Sequence, residues 1–181
     1  MSGSHLAVVD MQKVFGDPAG DWWTPRFAEV VPPIRTLVDA LSPQVTFTRF
    51  LAPDKPTGAW RRYYDRWPFA EQPADAEIYQ LVDEFADGAG PTVDATTFGK
   101  WGPELAARMA GADRLVLAGV ATDCCVLSTA LAAADAGVVV WLVADACAGI
   151  DDAAHQRALD IARGYAPLIE VVDVVQVLAA R

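Results

Sequence analysis

Apolar residues follow two rhythms along the chain: short unbroken runs, and longer stretches where polar residues return every third or fourth place. His5 to Asp10 (HLAVVD) is a short apolar run that ends in an acid, and Gln44 to Arg49 (QVTFTR) is rich in β-branched residues; both read as strands. Pro91 to Asp94 is a short third strand. Arg114 to Val120 (RLVLAGV) is apolar almost throughout, the mark of a strand covered on both faces. Val138 to Ala144 and Leu168 to Val175 read as the fifth and sixth strands. Between these runs the pattern turns helical. Thr24-Pro25 supplies an N-cap and first-turn proline for a helix reaching Leu41, with a break or restart expected at Pro32-Pro33. Asp75 to Ala86 reads as helix, and Gly102-Pro103 opens another. Thr122 is expected to cap a helix ending at Ala136, where Gly137 takes the C′ position. Asp151 caps a last helix, in which His155 reads as structural. Phe50 to Gln72 keeps neither period and reads as a long ordered loop of the kind that often serves function.

Strands separated by helices imply a parallel sheet, because parallel neighbours need crossover connections. The expected fold is therefore α/β: one doubly wound domain over residues 1–181, with a mostly parallel six-stranded sheet and helices on both faces. Such sheets place their sites beyond the carboxyl ends of the strands. Asp10, the residues after Asp94, and Gly119 to Cys125 fall there.

Composition narrows the function classes. With 53% hydrophobic and 21% charged residues the chain falls in the globular range, and a formal charge of −10 argues against a nucleic-acid partner. Arg61, Arg62 and Arg66 form the densest basic group, either a solvated surface or a grip on an anionic substrate. The longest apolar stretch, Leu127 to Val143, is broken by Asp135 and Gly137, so no membrane partner is expected. Met1 to His5 is too short and polar for a secretory signal, and three cysteines make no disulfide framework, which suggests a reducing cytoplasm. Without a CxxC or closely paired histidines no metal is expected, nor any other cofactor. The expected partners are a small-molecule substrate and, given the apolar and aromatic surplus, further copies of the chain in a homodimer or homotetramer.

Two segments carry candidate chemistry. In Gly119-Val-Ala-Thr-Asp-Cys-Cys-Val126, capping by Thr122 would put Cys125 at N3, where free amides and the helix dipole favour a thiolate. The alternative is that Cys124 and Cys125 are small buried apolar residues. Asp10 closes an apolar strand, as a cap for the next turn or as a proton acceptor in the cleft. A cation would hold carboxylate and thiolate together, and Lys100, in Thr97-Phe-Gly-Lys-Trp-Gly-Pro-Glu104, is the lysine near the third strand's end. Its other reading is a solvated lysine at a helix start, and that alternative is stronger here than the corresponding ones for Asp10 and Cys125.

Val8-Val-Asp-Met-Gln12 followed by Phe15, together with Gly119 to Val126, resembles the isochorismatase-like cysteine hydrolases, which include nicotinamidases and N-carbamoylsarcosine amidohydrolases. Asp145-Ala146 after the fifth strand is also similar. The resemblance spans almost the whole chain and implies hydrolysis of a small amide-type C–N bond through a thioester. It implies Cys125 as nucleophile, Asp10 as acid/base, and a cis peptide at Val120–Ala121 with the amides of Ala121 and Cys125 forming an oxyanion hole. Phe15, Trp60 and Trp101 are the aromatic candidates for pocket walls. Two departures stand out. Ala95 occupies the place of the family lysine, so either Lys100 reaches in from the next turn or the third group is missing; Lys13 is a more distant candidate. Thr48-Arg49-Phe50-Leu51 lacks the Asp-x-His ligands of nicotinamidases, which speaks against that activity. Isochorismatase-type vinyl ether cleavage, driven by the acid alone, and a silent binding or scaffold relative are the competing readings.

Overall fold

A computed structural model describes residues 3–87, 90–109 and 111–180; the polar start at Met1 and Ser2 lies outside them. Six parallel strands form one sheet in the order β3-β2-β1-β4-β5-β6: β1 (Gly3–Val9), β2 (Val45–Phe50), β3 (Val93–Ala95), β4 (Ala112–Val120), β5 (Val139–Ala148) and β6 (Ile169–Val172). Period-two alternation sends successive side chains to opposite faces. Leu6 and Val8 of β1, with Val116 and Ala118 of β4, meet α2 (Phe27–Leu41) and α8 (Val174–Ala179) on one face. Ala7 and Val9, with Leu115 and Leu117, meet α5 (Pro103–Arg108), α6 (Leu127–Asp135) and α7 (Asp152–Arg163) on the other. The fold is therefore the expected single-domain, doubly wound α/β sheet, all of its strands parallel. Among the described residues no helix is long and apolar enough to cross a membrane.

Several local expectations need correction. The helix after Thr24 starts at Phe27 and runs unbroken through Pro32 and Pro33, because Ile34 and Leu37 continue its buried stripe beyond them. Tertiary packing of that stripe outweighs the lost backbone bonds. Phe50 to Gln72 is not all loop: α3 (Ala59–Arg66) and a 3₁₀ turn at Pro68–Ala70 interrupt it, with Tyr64 as the single buried side chain of the helix. Asp75 to Ala86 is two short pieces, a 3₁₀ turn at Glu77–Tyr79 and α4 (Asp83–Ala86), because Leu81 between them pairs across to Gln12. The last strand stops at Val172, and Asp173 with Gln176 forms a capping box that starts α8 where Val174 and Val175 read as strand. Asp151 caps α7 as expected, its Oδ1 accepting from the Ala154 amide at 2.6 Å.

Strand order reverses between β1 and β4, since β1 continues to β2 on one side while β4 leads to β5 on the other. Crevices outside the carboxyl ends at such a switch point are where open α/β sheets bind ligands. Asp10 leaves β1 there, and the Cys125 turn leaves β4 beside it.

Candidate active site

Asp10 lies just past β1 in a left-handed conformation, φ 49°, and is fully buried. Its side chain is held from β2: the Thr48 hydroxyl donates to Oδ1 at 2.7 Å and accepts from the Asp10 amide at 3.3 Å. Two residues on, buried Gln12 ties this strand end down. Its Nε2 donates to the carbonyls of Phe50 (3.0 Å) and Tyr79 (2.9 Å), and its Oε1 accepts from the Phe50 amide at 2.8 Å.

Lys100 answers the question raised by Ala95. The main chain beyond β3 turns so that the Lys100 amide donates to Thr129 Oγ1 at 2.9 Å. The side chain then folds back, with Nζ donating to the Thr97 carbonyl at 2.8 Å and sitting 3.0 Å from Asp10 Oδ2. Both side chains are fully buried in this ion pair, and Nζ lies 5.0 Å from the centre of the Phe50 ring. The solvated-lysine reading is thus overturned: a flexible four-carbon stem lets an amine a turn away reach the carboxylate. Lys13 is not in the site. It pairs at the surface with Glu77 at 3.2 Å and Asp83 at 3.8 Å.

The nucleophile turn departs from expectation. Gly119, with φ +116°, passes so close to β1 that a Cβ there would lie 2.1 Å from the Val9 carbonyl oxygen, so only glycine fits. A cis peptide follows at Val120–Ala121. Thr122 is not the cap. Residues Thr122–Val126 form one wide π-type turn ahead of α6, and Ala121 precedes it. The Thr122 hydroxyl instead meets His155 Nδ1 of α7 at 2.8 Å, and Asp123 Oδ1 accepts from the Ile150 amide at 3.0 Å. These contacts tie the turn to the start of α7. Within the turn Cys125 is buried and Cys124 half-buried. Thr129 fastens the turn to the lysine segment as well, since the hydroxyl that accepts from the Lys100 amide donates to the Cys125 carbonyl at 2.7 Å.

Electrostatics correct the simple dipole expectation for Cys125. The neighbouring Cys124 thiol first, then burial and the Asp10 carboxylate, push its thiol well above the ordinary value, against the pull of Lys100. Cys124 is pushed the opposite way, by its neighbour Cys125 first. The neutral thiol of Cys125 is thus the favoured form, where the helix dipole alone would favour a thiolate. Buried Cys147, by contrast, is pushed up to about 12 by burial and lies outside the site.

Aromatic rings roof this corner. Trp60 of α3 lies 5.0 Å from Phe98 and 6.2 Å from Phe50, while Tyr63 reaches Phe98 at 5.7 Å. Phe15 stacks on Trp22 at 6.0 Å, and Trp22 leans on Phe50 at 5.9 Å. Two of the expected wall residues, Phe15 and Trp60, thus join one aromatic cluster, whereas half-buried Trp101 packs into the core of the α5–α6 face. Tyr63 is an unforeseen member, and burial above all pushes its phenol up. The nearby arginines are already engaged. Arg49 forms a two-pronged pair with Asp94 at 2.9 and 2.6 Å, and Arg61 pairs with Asp65 and Glu71. Thr48, Arg49 and Phe50 are thus occupied by Asp10, Asp94 and the ring cluster, a set that does not fit a metal ion.

A buried pair of acid and amine beside a cysteine turn stands at the switch point of a doubly wound parallel sheet, the place where such sheets bind ligands. The chain belongs to the isochorismatase domain family, which matches residues 4–174. Solved structures share the fold over nearly the full length. A cysteine hydrolase from Pseudomonas syringae pv. phaseolicola superposes with a TM-score of 0.83 at 21% identity, covering 97% of this chain and 91% of the other. An isochorismatase family protein from Desulfovibrio vulgaris gives 0.83 at 21%, covering 100% of both. An N-carbamoylsarcosine amidase from Thermoplasma acidophilum gives 0.73 at 22%, covering 96% and 97%. At these identities the likeness speaks for the fold. Among curated proteins none matches the chain.

Proposed function

We propose that this chain hydrolyses the C–N bond of a small amide with Cys125 as nucleophile and Asp10 as acid/base. The observation that carries the reading is the fully buried Lys100–Asp10 pair, Nζ to Oδ2 3.0 Å, set beside the Cys125 turn. A buried ion pair is costly to desolvate and is weak evidence for stability, so its place at the switch point favours a functional role. Asp10 removes the Sγ proton as sulfur attacks the carbonyl carbon, and Lys100 steadies the negative charge that passes from carboxylate to sulfur. The amides of Ala121 and Cys125 receive the oxyanion; one such donor contributes roughly 3 kcal/mol in enzymes of this kind. Asp10 then returns the proton to the leaving nitrogen, and ammonia or an amine departs. Water, deprotonated by Asp10, cleaves the thioester to the acid and restores the thiol. Phe15 and Trp60, from the ring cluster, are the walls for a flat or apolar substrate body.

The test is ammonia or amine release from a panel of small amides by the wild type, Cys125→Ala and Asp10→Asn. Turnover that vanishes in both variants supports the reading. Turnover that survives in Cys125→Ala and vanishes only in Asp10→Asn overturns Cys125 as the nucleophile and leaves the acid to act alone. No turnover by the wild type on any amide, despite ligand binding, overturns it in favour of a binding protein.

A further inference from the structure

The two oxygens of Asp10 have different partners. Oδ1 takes the Thr48 hydroxyl at 2.7 Å, and the same hydroxyl accepts from the Asp10 amide at 3.3 Å. Oδ2 faces the buried Lys100 ammonium at 3.0 Å, which also donates to the Thr97 carbonyl at 2.8 Å. Thr48 is itself fully buried on β2. Each oxygen thus has its own partner, and the two together set the plane of the carboxylate.

Resting on the reading of Asp10 as acid/base, we propose that Thr48 is a positioning residue that fixes the plane of the Asp10 carboxylate as it takes the Cys125 proton. The Sγ–H bond breaks as an O–H bond forms on Asp10, and the same proton leaves Asp10 for the amide nitrogen when the C–N bond breaks. Without the hydroxyl the group is free to turn about its Cβ–Cγ bond, with Lys100 as its remaining side-chain partner. Misplacing a reacting group by a fraction of the carboxylate's width costs rate rather than binding.

Thr48→Val keeps the branched shape and deletes the hydroxyl, while Thr48→Ser keeps the hydroxyl. Thr46, also buried on β2, donates to or accepts from His5 Nε2 at 2.9 Å away from the site, so Thr46→Val controls for loss of a buried hydroxyl. Steady-state kinetics on the best amide of the panel, with thermal melts of all three variants, form the experiment. Expected is a loss in kcat on the order of a hundredfold in Thr48→Val with KM nearly unchanged. Thr48→Ser should recover most of the rate, and Thr46→Val should keep it while melting earlier. If Thr48→Val retains wild-type kcat while Asp10→Asn and Cys125→Ala are dead, the positioning role is wrong and the amidase reading stands. If Thr48→Val does not fold, the serine variant decides: a rate as low as that of Asp10→Asn, in a folded protein, overturns the proposal. Full activity in Asp10→Asn removes the reading on which it rests.

Discussion

Single atoms set the limits of this site. Gly119 is the sharpest case, because any side chain would put its Cβ 2.1 Å from the Val9 carbonyl oxygen at φ +116°. Gly119→Ala must therefore push β4 away from β1 at the very point where Asp10 and the cysteine turn diverge. A loss above about 4 kcal/mol, the range of exceptional single substitutions, is the expected result of urea unfolding, and a cost below about 1 kcal/mol would sink the claim. The residues legible from sequence were those whose chemistry is announced by their neighbours: Asp10 at the end of an apolar run, and Cys125 just past another. Thr48, Thr129 and Gln12 were not, since their roles lie in bonds across 29 to 67 residues of chain. A threonine in a β-branched strand looks the same whether or not a carboxylate faces it. Trp101, expected beside the rings, shows the converse: an aromatic next to Lys100 in sequence packs toward the core instead.

At the level of the element, the wide turn Thr122–Val126 decides how the two adjacent cysteines differ. It leaves Cys124 half-buried and sets Cys125 inward, where the neighbouring Cys124, then burial and Asp10, favour the neutral thiol. Peptide mapping of iodoacetamide labelling should find Cys124 modified first at neutral pH. Cys125 should gain rate as pH rises into the alkaline range, and Cys147, held near 12, should stay unlabelled in the folded protein. Rapid labelling of Cys125 at neutral pH would instead show a preformed thiolate and contradict the assignment of Asp10 as the group that must first take its proton. Elements were read well where a single rhythm ran long enough, as in β1, β4 and α7. They were misread where valines dominate. Val174 and Val175 look like strand, yet Asp173 and Gln176, three apart, close a capping box and nucleate α8. That spacing was visible and outweighs the weak β preference of two residues. The stretch Asp75–Ala86 failed for a different reason, because Leu81 is claimed by Gln12 of a distant segment.

Across the whole molecule, one buried and one half-buried histidine link stability to pH. His5 is almost fully buried, and burial first, then the charge of Arg108, pushes it below its ordinary 6.5. His155 is lowered in the same sense by burial and then by Arg26, with Asp152 and Asp123 opposing. A depressed folded pKa means that the unfolded chain binds the proton first. Stability is then full above about pH 6.5 and falls as pH drops toward the folded value, by at most about 1.4 kcal/mol per pH unit for each histidine. Urea midpoints should decline between about pH 7 and pH 5, and His5→Gln should flatten that decline. A midpoint constant over this range in the wild type would refute the linkage.

Periodicity along the chain was enough to establish a doubly wound parallel sheet and to place an acid and a thiol at strand ends, because both follow from local patterns of burial. The order of the strands, the reach of Lys100 to an acid 90 residues earlier, and the threonines that hold each group could not be read that way. Those depend on which distant segments share the switch point, and burial there turns otherwise ordinary hydroxyls and an amine into the partners of a single carboxylate and thiol.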